Sequence, residues 1–557
     1  MADTTFVAKA TTILAAWLND INAGYYRANS AITGVTSAMY RTILAKAGDY
    51  VSVKDFGATG DGSTDDSTAV QAALSSGALS VYFPKGTYIL GTTCTIPSSV
   101  RVCGSGWGSI IKAKSTLAST TLGSATVYVL LTNSTPTGGN SKILIEDLAF
   151  DMTNKDVAGA HCVHLRNCTN SHVRRCSTQY GDDGVAMTLA NGCTISHCDG
   201  REHANAAFDM WETTIDSAII NNNIYGSSGG RGQLYGILVT GLTILDVAAT
   251  SSRVKVQGNT IYGVQGPGIW IQGGVVGAQT GAVTYCNVTG NIIGNMISNA
   301  GIRLSEGTGH VVANNIIAST WQGGIQIQGE ASAGAAGAAQ NCIIKGNYLT
   351  GINGSTNGGI DAIFIGNSGN GTLVEGNTVI TGLHKYALSF GSTTSGCKQA
   401  NNILGAGATG IVSDAGGTNL SPQFAARNSA GTAPAVPGPT DIPFATVSFN
   451  QGTGYATPTF TAPRTGKYQF NWNITHTSAC TAGNVFEISL VTTARTYTWA
   501  YTVAAAENTL AGSCLADMTA TDTAKLQITR TTGAGTFTLV ATAAKNNFTG
   551  FLREEYV

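Results

Sequence analysis

A short phrase recurs between about residues 148 and 404, and it constrains the fold more than any other feature of the chain. It alternates apolar and polar residues around a Gly-Asn or Asn-Asn pair, as in Val256–Ile261 and Val288–Ile293. The asparagines that define it are Asn222, Asn259, Asn291, Asn315, Asn347, Asn377 and Asn402, so successive copies lie 24 to 37 residues apart. This near-regular spacing with variable insertions is typical of stacked supersecondary units.

The phrase itself indicates what the repeating unit is. Alternation that ends at Gly or Asn predicts a short strand followed by a left-handed turn position. The shortest repeats have no room for a helix pair, so we expect a parallel β-helix with three strands per coil and coils about 4.8 Å apart. Extended backward, the column reaches Cys198, Cys176 and Leu148. We interpret all these residues as a structural ladder.

A second column predicts where function lies. Each repeat carries a Gly-Ile-x-Ile-like strand, and the residue between the core aliphatics should point outward. These outward residues are His164, Ala186, Asp209, Leu238, Trp270, Arg303 and Gln326. They form one stripe with about one residue per coil, and functional side chains are expected there.

Composition narrows the class of protein. Only 11% of the 557 residues are charged, against about 25% in typical domains, and the net charge is −1. Without basic runs, nucleic acid is not an expected partner. No segment approaches the ~20 apolar residues of a membrane span, so membrane insertion is not expected either. The cysteines lack CxxC spacing and predict buried thiols in a chain made in a reducing cytoplasm.

Four regions follow from changes in pattern along the chain. Residues 1–48 include an amphipathic helical stretch, residues 49–416 hold the repeats, and residues 417–443 are a proline-rich linker. Residues 444–557 alternate strongly between turn signals, as antiparallel sandwiches do. The predicted fold is therefore all-β: a right-handed parallel β-helix with a short N-terminal helical anchor and a C-terminal β-sandwich of the jelly-roll type.

The start of the repeat region resembles a known family. Val51–Asp66 reads as a strand, a Gly/Asp-rich turn and a capped helix, and Val81–Tyr88 reads as strand, turn, strand. Together they resemble the first segment of the pectate-lyase-like β-helices of bacteriophage tailspikes, and Trp17–Asn22 resembles their virion-attachment helix. The resemblance implies a virion tail protein, made in the host cytoplasm, that contacts phage tail or adaptor proteins. We assign Asp61, Asp65 and Asp66 to turns and helix capping rather than to a metal site.

The C-terminal region carries a second resemblance. Thr459–Phe470, with its Ala-Pro-Arg-Thr-Gly-Lys-Tyr segment, is similar to the complement-type globular-head jelly roll. That family is trimeric, so the resemblance implies a homotrimer. A groove between subunits is then an alternative to a groove within one chain.

Candidate catalytic residues cluster on few coils, although carboxylates are scarce overall. They are Asp182, Asp183, Asp209, Glu212 and His203. Glycoside hydrolysis needs two carboxyl groups about 5 Å apart for retention or about 6.5–9.5 Å apart for inversion, and neighbouring coils can supply either spacing. Candidate substrate-binding residues are Trp211, Trp270, Arg303, Glu306 and Gln326. The alternative for each is a solvated turn, edge or surface role. No cofactor and no metal are expected.

One of these elements resembles a catalytic motif. Gly181–Ala186 is similar to the Asp-Asp element of polygalacturonases, in which a site histidine follows one coil later, as His203 does here. The sequence departs from the motif at His161 and Glu202. Strict alternation from Val185 would also turn Asp183 inward unless a turn intervenes.

Three functions remain open from the sequence. The first is a tailspike that binds and hydrolyses a bacterial surface polysaccharide, with Asp183 or Asp209 as acid and Asp182 or Glu212 as base or nucleophile. The second is a lyase acting on a uronic-acid glycan, with His203 as base and Arg303 neutralising the carboxylate. The third is a receptor-binding tail fibre without turnover.

Overall fold

The computed structural model describes most of the chain after residue 47. The described residues are 48–226, 234–241, 249–276, 279–328, 339–352, 359–366, 369–415, 422–428, 438–451, 454–476, 483–503, 508–534, 537–540 and 545–555. The predicted N-terminal attachment segment therefore lies outside them, apart from residue 48. The described residues form two compact units, one reaching Trp321 and the other running from Gln322 to the C-terminal strands.

The first unit is a parallel β-helix, in which successive coils add one strand to each of three parallel sheets. The first sheet contains Tyr50–Ser52, Ser80–Phe83, Arg101–Gly104, Leu144–Glu146, His172–Arg174, Thr194–Ser196, Ala218–Ile220, Lys255–Gln257, Asn287–Thr289 and Val311–Ala313. The second contains Asp61–Asp65, Gly86–Leu90, Ser109–Ala113, Ala149–Asp151, Ser177–Gln179, Asp199–Arg201, Asn223–Tyr225, Thr260–Tyr262, Ile292–Gly294 and Ile316–Ala318. The third contains Cys94–Ile96, Ala125–Asn133, Ala160–Arg166, Asp183–Thr188, Ala206–Trp211, Tyr235–Thr240, Ile269–Gln272 and Ile302–Ser305. The β-helix predicted from the repeat is confirmed.

Shorter strands and helices decorate this rod. They are the strands Thr120–Leu122, Asn140–Ser141, Cys168–Thr169, Ala249–Ser252, Gly274–Val276 and Gln279–Thr284, the 3₁₀ helices Val53–Phe56 and Thr153–Lys155, and the α-helix Ser67–Leu74. None of the helices among the described residues has the length and apolarity that crossing a bilayer requires.

The acidic residues of the first coil shape its turns. Asp61 Oδ1 accepts from the backbone N–H groups of Ser63 and Thr64, each at 2.8 Å. Asp66 Oδ1 accepts from the Thr59 N–H at 2.7 Å, and its Oδ2 accepts from the Gly60 N–H at 3.2 Å. These contacts are the turn-forming uses that the sequence predicted.

The asparagine column forms a hydrogen-bonded ladder inside the rod. Asn222 Nδ2 donates to Asn259 Oδ1, Asn259 Nδ2 to Asn291 Oδ1, and Asn291 Nδ2 to Asn315 Oδ1, at 2.9–3.0 Å. Each receiving oxygen also accepts the backbone N–H of the preceding asparagine. Side-chain amides thereby satisfy buried turn groups on consecutive coils, which is why Asn recurs there.

The cysteines stack in the interior as well. Every cysteine among the described residues is a buried free thiol. Cys176 lies against Cys198, and burial followed by that neighbour raises the pKa of the Cys176 thiol well above its usual value. Such thiols act as small apolar residues.

The second unit contains further coils and the C-terminal sandwich. Its coil strands are Ile325–Ile327, Ile343–Lys345, Tyr348–Thr350, Ile363–Ile365, Leu373–Glu375, Thr378–Val379, Tyr386–Phe390, Lys398–Ala400, Ile403–Leu404 and Gly410–Asp414. The asparagine ladder is present here too, with Asn347 Nδ2 donating to Asn377 Oδ1 at 2.9 Å.

The sandwich packs two antiparallel sheets around an aromatic core. One sheet has the order Thr446–Gln451, Gln423–Arg427, Asn547–Glu555, Gly466–His476 and Asn508–Met518. The other has the order Tyr455–Ala456, Thr459–Thr461, Thr523–Thr532, Val485–Thr492 and Thr496–Thr502, with Thr440–Asp441 also paired to Thr523–Thr532. The buried core includes Phe424, Phe444, Tyr468, Phe470 and Phe548.

The sandwich begins earlier than the sequence predicted. Gln423–Arg427 pairs with both Thr446–Gln451 and Asn547–Glu555, so part of the predicted linker 417–443 is a strand. Phe424 is the reason, because its ring stacks on Tyr455 with ring centroids 4.6 Å apart inside the core.

Candidate functional site

The strand that begins at Asp183 places two neighbouring residues inward, which decides where Asp183 points. Val185 pairs with Phe208 in the core column. A Cβ placed on Gly184 would lie 2.6 Å from Thr178 Oγ1 and 2.9 Å from His203 Nε2, both of which are buried. Gly184 therefore also faces the interior, so strict alternation breaks and Asp183 turns outward.

Asp183 and Asp209 meet on the outer face of the third sheet. Asp209 pairs in register with Ala186 on the adjacent coil, and Ala186 is three residues after Asp183. Asp183 Oδ1 accepts from the Ala206 backbone N–H at 3.0 Å and from Asn205 Nδ2 at 2.9 Å. Its other oxygen lies 2.9 Å from His161 Nδ1. The Asp183 carboxyl group thus accepts two hydrogen bonds through Oδ1 and faces the His161 ring through Oδ2.

Asp209 lies in different surroundings. Both its carboxyl oxygens are buried, and neither has a well-formed hydrogen bond. Burial, then the charges of Asp183 and Asp182, raises the pKa of Asp209 well above its usual value, and the Trp211 side chain offsets this only in part. Two carboxyl groups that share a site titrate as a pair, with one of them kept protonated.

Two histidines and a tryptophan enclose the pair. The rings of His161 and His164 have centroids 5.0 Å apart, and each lies 6.0 Å from the Trp211 ring. His164 Nε2 lies 3.1 Å from Thr188 Oγ1. Burial, then His161 and Arg166, lowers the pKa of His164 well below its usual value, so its ring is neutral near pH 7.

A buried ion pair closes one side of the cluster. Arg166 Nη1 donates to Glu212 Oε2 at 2.8 Å, and both side chains are nearly inaccessible. Glu212 adopts a left-handed conformation with φ of 55° directly after the strand Ala206–Trp211. Because Glu212 is already used to neutralise Arg166, the structure does not favour the predicted role of Glu212 as base or nucleophile.

An apolar surface continues from the carboxyl pair along the next coils. Ala206, Leu238 and Trp270 form one cluster, and the half-buried Tyr235 packs against it. Tyr235 and Trp270 have ring centroids 5.1 Å apart. The Trp270 indole N–H donates to Ser305 Oγ at 2.9 Å, and the Arg303 guanidinium lies 5.2 Å from the Trp270 ring centroid. We call Tyr235, Leu238, Trp270 and Arg303 the aromatic platform.

The register of the outward stripe is as the sequence predicted. Ala186 pairs with Asp209, Asp209 with Leu238, Leu238 with Trp270, and Trp270 with Arg303. Six of the predicted site residues lie in this cluster or on the aromatic platform: Asp183, Asp209, Trp211, Glu212, Trp270 and Arg303.

Other predicted residues lie elsewhere. His203 is buried with its Nε2 3.0 Å from Thr178 Oγ1, on the interior side of Gly184, so its predicted position in the groove is wrong. Asp182 is half-buried, and its Oδ2 accepts from the Gly159 N–H at 2.8 Å, a turn contact rather than a free base. Glu306 is half-buried and left-handed, with φ of 53°, at the end of Ile302–Ser305. Gln326 belongs to the second unit.

Two residues of the site were missed from the sequence. Arg166 lies on the outer face two residues after His164, and Tyr235 pairs with Ala206 directly beyond Asp183. Extending the outward column by one alternation beyond His164 would have identified Arg166, whereas Tyr235 lies three residues before Leu238, where the alternation breaks. No group of three His, Cys, Asp or Glu side chains suited to a metal ion occurs within the residues that the structure describes.

The carboxyl pair is buried, which limits how a ligand can reach it. Asp183 and Asp209 are 0% exposed and Trp211 is 9% exposed, whereas Tyr235 and Arg303 are half-buried. The aromatic platform is therefore the part that a ligand meets first.

Comparison with known proteins identifies both domains. Residues 50–269 match the family model described as rhamnogalacturonase A/epimerase, pectate lyase-like, and residues 424–553 match the C1q domain. The two resemblances noted in the sequence, to pectate-lyase-like β-helices and to the complement-type globular head, are confirmed.

The chain is similar to proteins of Bacillus phages and of Azotobacter vinelandii. The preneck appendage protein of Bacillus phage PZA is 23% identical over 453 residues, covering 68% of this chain and 50% of that protein. Mannuronan C5-epimerase AlgE2 of Azotobacter vinelandii is 26% identical over 249 residues, covering 41% of this chain and 23% of that protein. The A-module of mannuronan C-5 epimerase AlgE6 from the same organism superposes with a TM-score of 0.49 at 17% identity, covering 66% of this chain and 99% of the module. The chain spans about half the length of the phage relatives that it matches.

Proposed function

We propose that this chain, which carries a pectate-lyase-like β-helix and a C1q domain, is a phage tailspike that binds and hydrolyses a bacterial surface polysaccharide. The polysaccharide would be a capsule, an exopolysaccharide or an O-antigen met during adsorption. The relation to a phage preneck appendage protein supports the virion role.

One observation carries the proposed chemistry. Asp183 and Asp209 lie on neighbouring coils in contrasting surroundings: Asp183 Oδ1 accepts two hydrogen bonds, whereas neither oxygen of Asp209 has a well-formed one. Environments that push two carboxyl groups apart in pKa separate a general acid from its charged partner. Asp209, whose pKa is raised, is the acid that protonates the leaving glycosidic oxygen. Asp183 is the carboxylate that attacks the sugar or activates water.

Access to the pair requires a rearrangement. Trp211 lies against both histidine rings and beside Asp209, and it is the most exposed of these four side chains. A sugar ring stacked on Tyr235 and Trp270 would place the next sugar over Asp209, and the Trp211 side chain has to swing aside to admit it. Aromatic rings suit this role because they offer an apolar face to the sugar.

The alternative lyase scheme has less support. It needs a base near the sugar ring, and His203, the predicted base, bonds Thr178 on the interior side of the strand. Arg303 could still neutralise a uronate, since a guanidinium binds carboxylates bidentately. The fibre without turnover would use the same aromatic platform.

Product analysis separates the three functions. The purified chain is incubated with host polysaccharide, and we expect shorter chains with new reducing ends and no ultraviolet-absorbing unsaturated ends. Asp209→Asn and Asp183→Asn should each lower the rate by about 10²–10⁴-fold. The matched control is Asp216→Asn, an exposed acid on a neighbouring turn that pairs with Arg253 at 2.7 Å. Unsaturated ends would favour the lyase, and absence of any fragment would favour the inert fibre.

Assembly is part of the proposal. The C1q domain supports a homotrimer, and residues 1–48 would attach it to phage tail or adaptor proteins. Sedimentation equilibrium on the purified chain should give three times its 57.1 kDa mass, and a monomer at micromolar concentration would exclude the trimer.

A further inference from the structure

A small pocket opens in the second unit, away from the carboxyl pair in sequence. Three strands build it, and their register aligns Gln326 with Phe364 and Phe364 with Ser389. The cavity is about 180 Å³ and is lined by Gln326, Gln328, Gly359, Ile360, Asp361 and Phe364. Drug-sized ligands occupy about 300–1,000 Å³, so this cavity suits a single ring.

Phe364 forms the apolar wall of the pocket. A Cβ placed on Gly366 would lie 2.3 Å from the Phe364 Cζ, so the ring lies flat over the Gly366 backbone. Only a glycine permits this approach. The ring is half-buried, and its outer face borders the cavity. A flat ring with one open face is a surface on which a sugar can stack.

The polar side chains of the pocket are held in place. Gln326 Nε2 donates to the Gln322 carbonyl at 2.7 Å, which uses one of its two N–H groups. Asp361 Oδ1 accepts from the Tyr386 N–H at 3.1 Å, and Ser389 donates to the same carboxyl group. A fixed amide and a fixed carboxyl group next to an aromatic ring can bond hydroxyl groups at low entropic cost.

We propose that this pocket binds one neutral sugar residue of the host polysaccharide, stacked on Phe364 and hydrogen-bonded by Gln326, Gln328 and Asp361. The six lining residues contribute one carboxyl group and no cationic side chain, so they offer no ion-pair partner to a uronate or a phosphorylated sugar. Asp361 would accept a hydroxyl hydrogen, and the Gln326 and Gln328 amides would donate and accept. The inference rests on the proposed function in that the ligand is a glycan, yet it requires no cleavage.

The test uses neutral sugars as probes on the full chain. Saturation-transfer NMR is recorded with methyl glycosides of neutral hexoses and N-acetylhexosamines, with methyl glucuronide as the acidic comparison. We expect transfer to at least one neutral glycoside that depends on Phe364, whereas any transfer to the glucuronide, which Arg303 of the aromatic platform can bind, should not change in Phe364→Ala. Phe364→Ala should weaken that binding about tenfold, and Gln326→Leu should weaken it as well. The matched control Tyr348→Ala removes a 43% exposed ring on another sheet of the same unit and should leave binding unchanged.

The outcomes distinguish this pocket from the carboxyl pair. Full sugar binding by Phe364→Ala, or binding of the glucuronide alone, would overturn the inference even if polysaccharide is still cleaved. Sugar binding that Phe364→Ala abolishes and Asp209→Asn retains would support the pocket whether or not cleavage occurs. Unchanged thermal unfolding of Phe364→Ala and Gln326→Leu establishes that any loss is local.

Discussion

The asparagine ladder allows one stability prediction to be worked out atom by atom, with Asn291→Ala as the perturbation. Asn291 Nδ2 donates to the Val256 carbonyl and to Asn315 Oδ1, and its Oδ1 accepts from the backbone N–H and the Nδ2 of Asn259, all at 2.9–3.0 Å. Alanine removes all four bonds and leaves the Asn259 N–H buried without its acceptor. One orphaned donor costs about 1–3 kcal/mol, and the lost bonds add to it, so we expect a loss of about 2–5 kcal/mol in the free energy of unfolding.

The assay is guanidinium unfolding followed by circular dichroism, with hydrogen exchange to localise the effect. Asn223→Ala is the control, because Asn223 is an exposed neighbour of the ladder with a single bond to Asp199, and it should change stability by under ~0.5 kcal/mol. Exchange should accelerate at Asn259 and on its neighbouring coils. Equal effects from the two variants would refute the account of the ladder as a structural column.

Three further predictions concern the site. Arg166→Met should lower the free energy of unfolding by about 3–5 kcal/mol, because it leaves the Glu212 carboxylate buried without its partner, and adding Glu212→Leu should restore most of that loss. If the double variant unfolds as easily as Arg166→Met, the result would contradict the buried pair. Because burial raises the pKa of Asp209, its protonated form stabilises the fold at low pH, and this contribution is lost as pH rises through the raised pKa. Above the ordinary pKa of an aspartate, the free energy of unfolding of Asp209→Asn should therefore vary less with pH than that of the unsubstituted chain. An unchanged pH profile would argue against a protonated Asp209. Trp270→Ala should weaken polysaccharide binding with little change in the cleavage rate of bound chains, as a titration paired with saturation kinetics would show; unaltered affinity would remove Trp270 from the aromatic platform.

Period and register could be predicted from the sequence because they repeat. The positions of the asparagines give the length of each coil directly. Aligning the Gly-Ile-x-Ile strands pairs Asp209 with Leu238, then Trp270 and Arg303, which is the register found in the structure. The same alternation holds in each coil: aliphatic residues face the core and the residue between them faces out. Because this pattern repeats, it can be recognised from the sequence alone.

The side on which Asp183 and His203 fall could not be predicted in this way. Alternation assumes a regular strand, and the two consecutive inward residues Gly184 and Val185 break it. His203 lies in a turn between strands, where no period applies. The Arg166–Glu212 pair joins residues 46 apart in sequence across coils, and single-sequence patterns carry no signal for such a contact.

The boundary of the sandwich failed for a different reason. Gln423–Arg427 is short and alanine-rich and follows Pro422, so its composition is that of a linker. Its pairing on both edges and the burial of Phe424 make it a strand. Tertiary contacts here override local propensity.

In the proposed mechanism Asp209 supplies a proton to a glycan that the aromatic platform holds, and one paired measurement tests this role. Binding of host-polysaccharide oligosaccharides to Asp209→Asn is titrated calorimetrically, and fragment release is followed under the same conditions. We expect an affinity within about twofold of that of the unsubstituted chain and a cleavage rate lower by at least about 10²-fold. Cleavage that persists at the original rate in Asp209→Asn would contradict it.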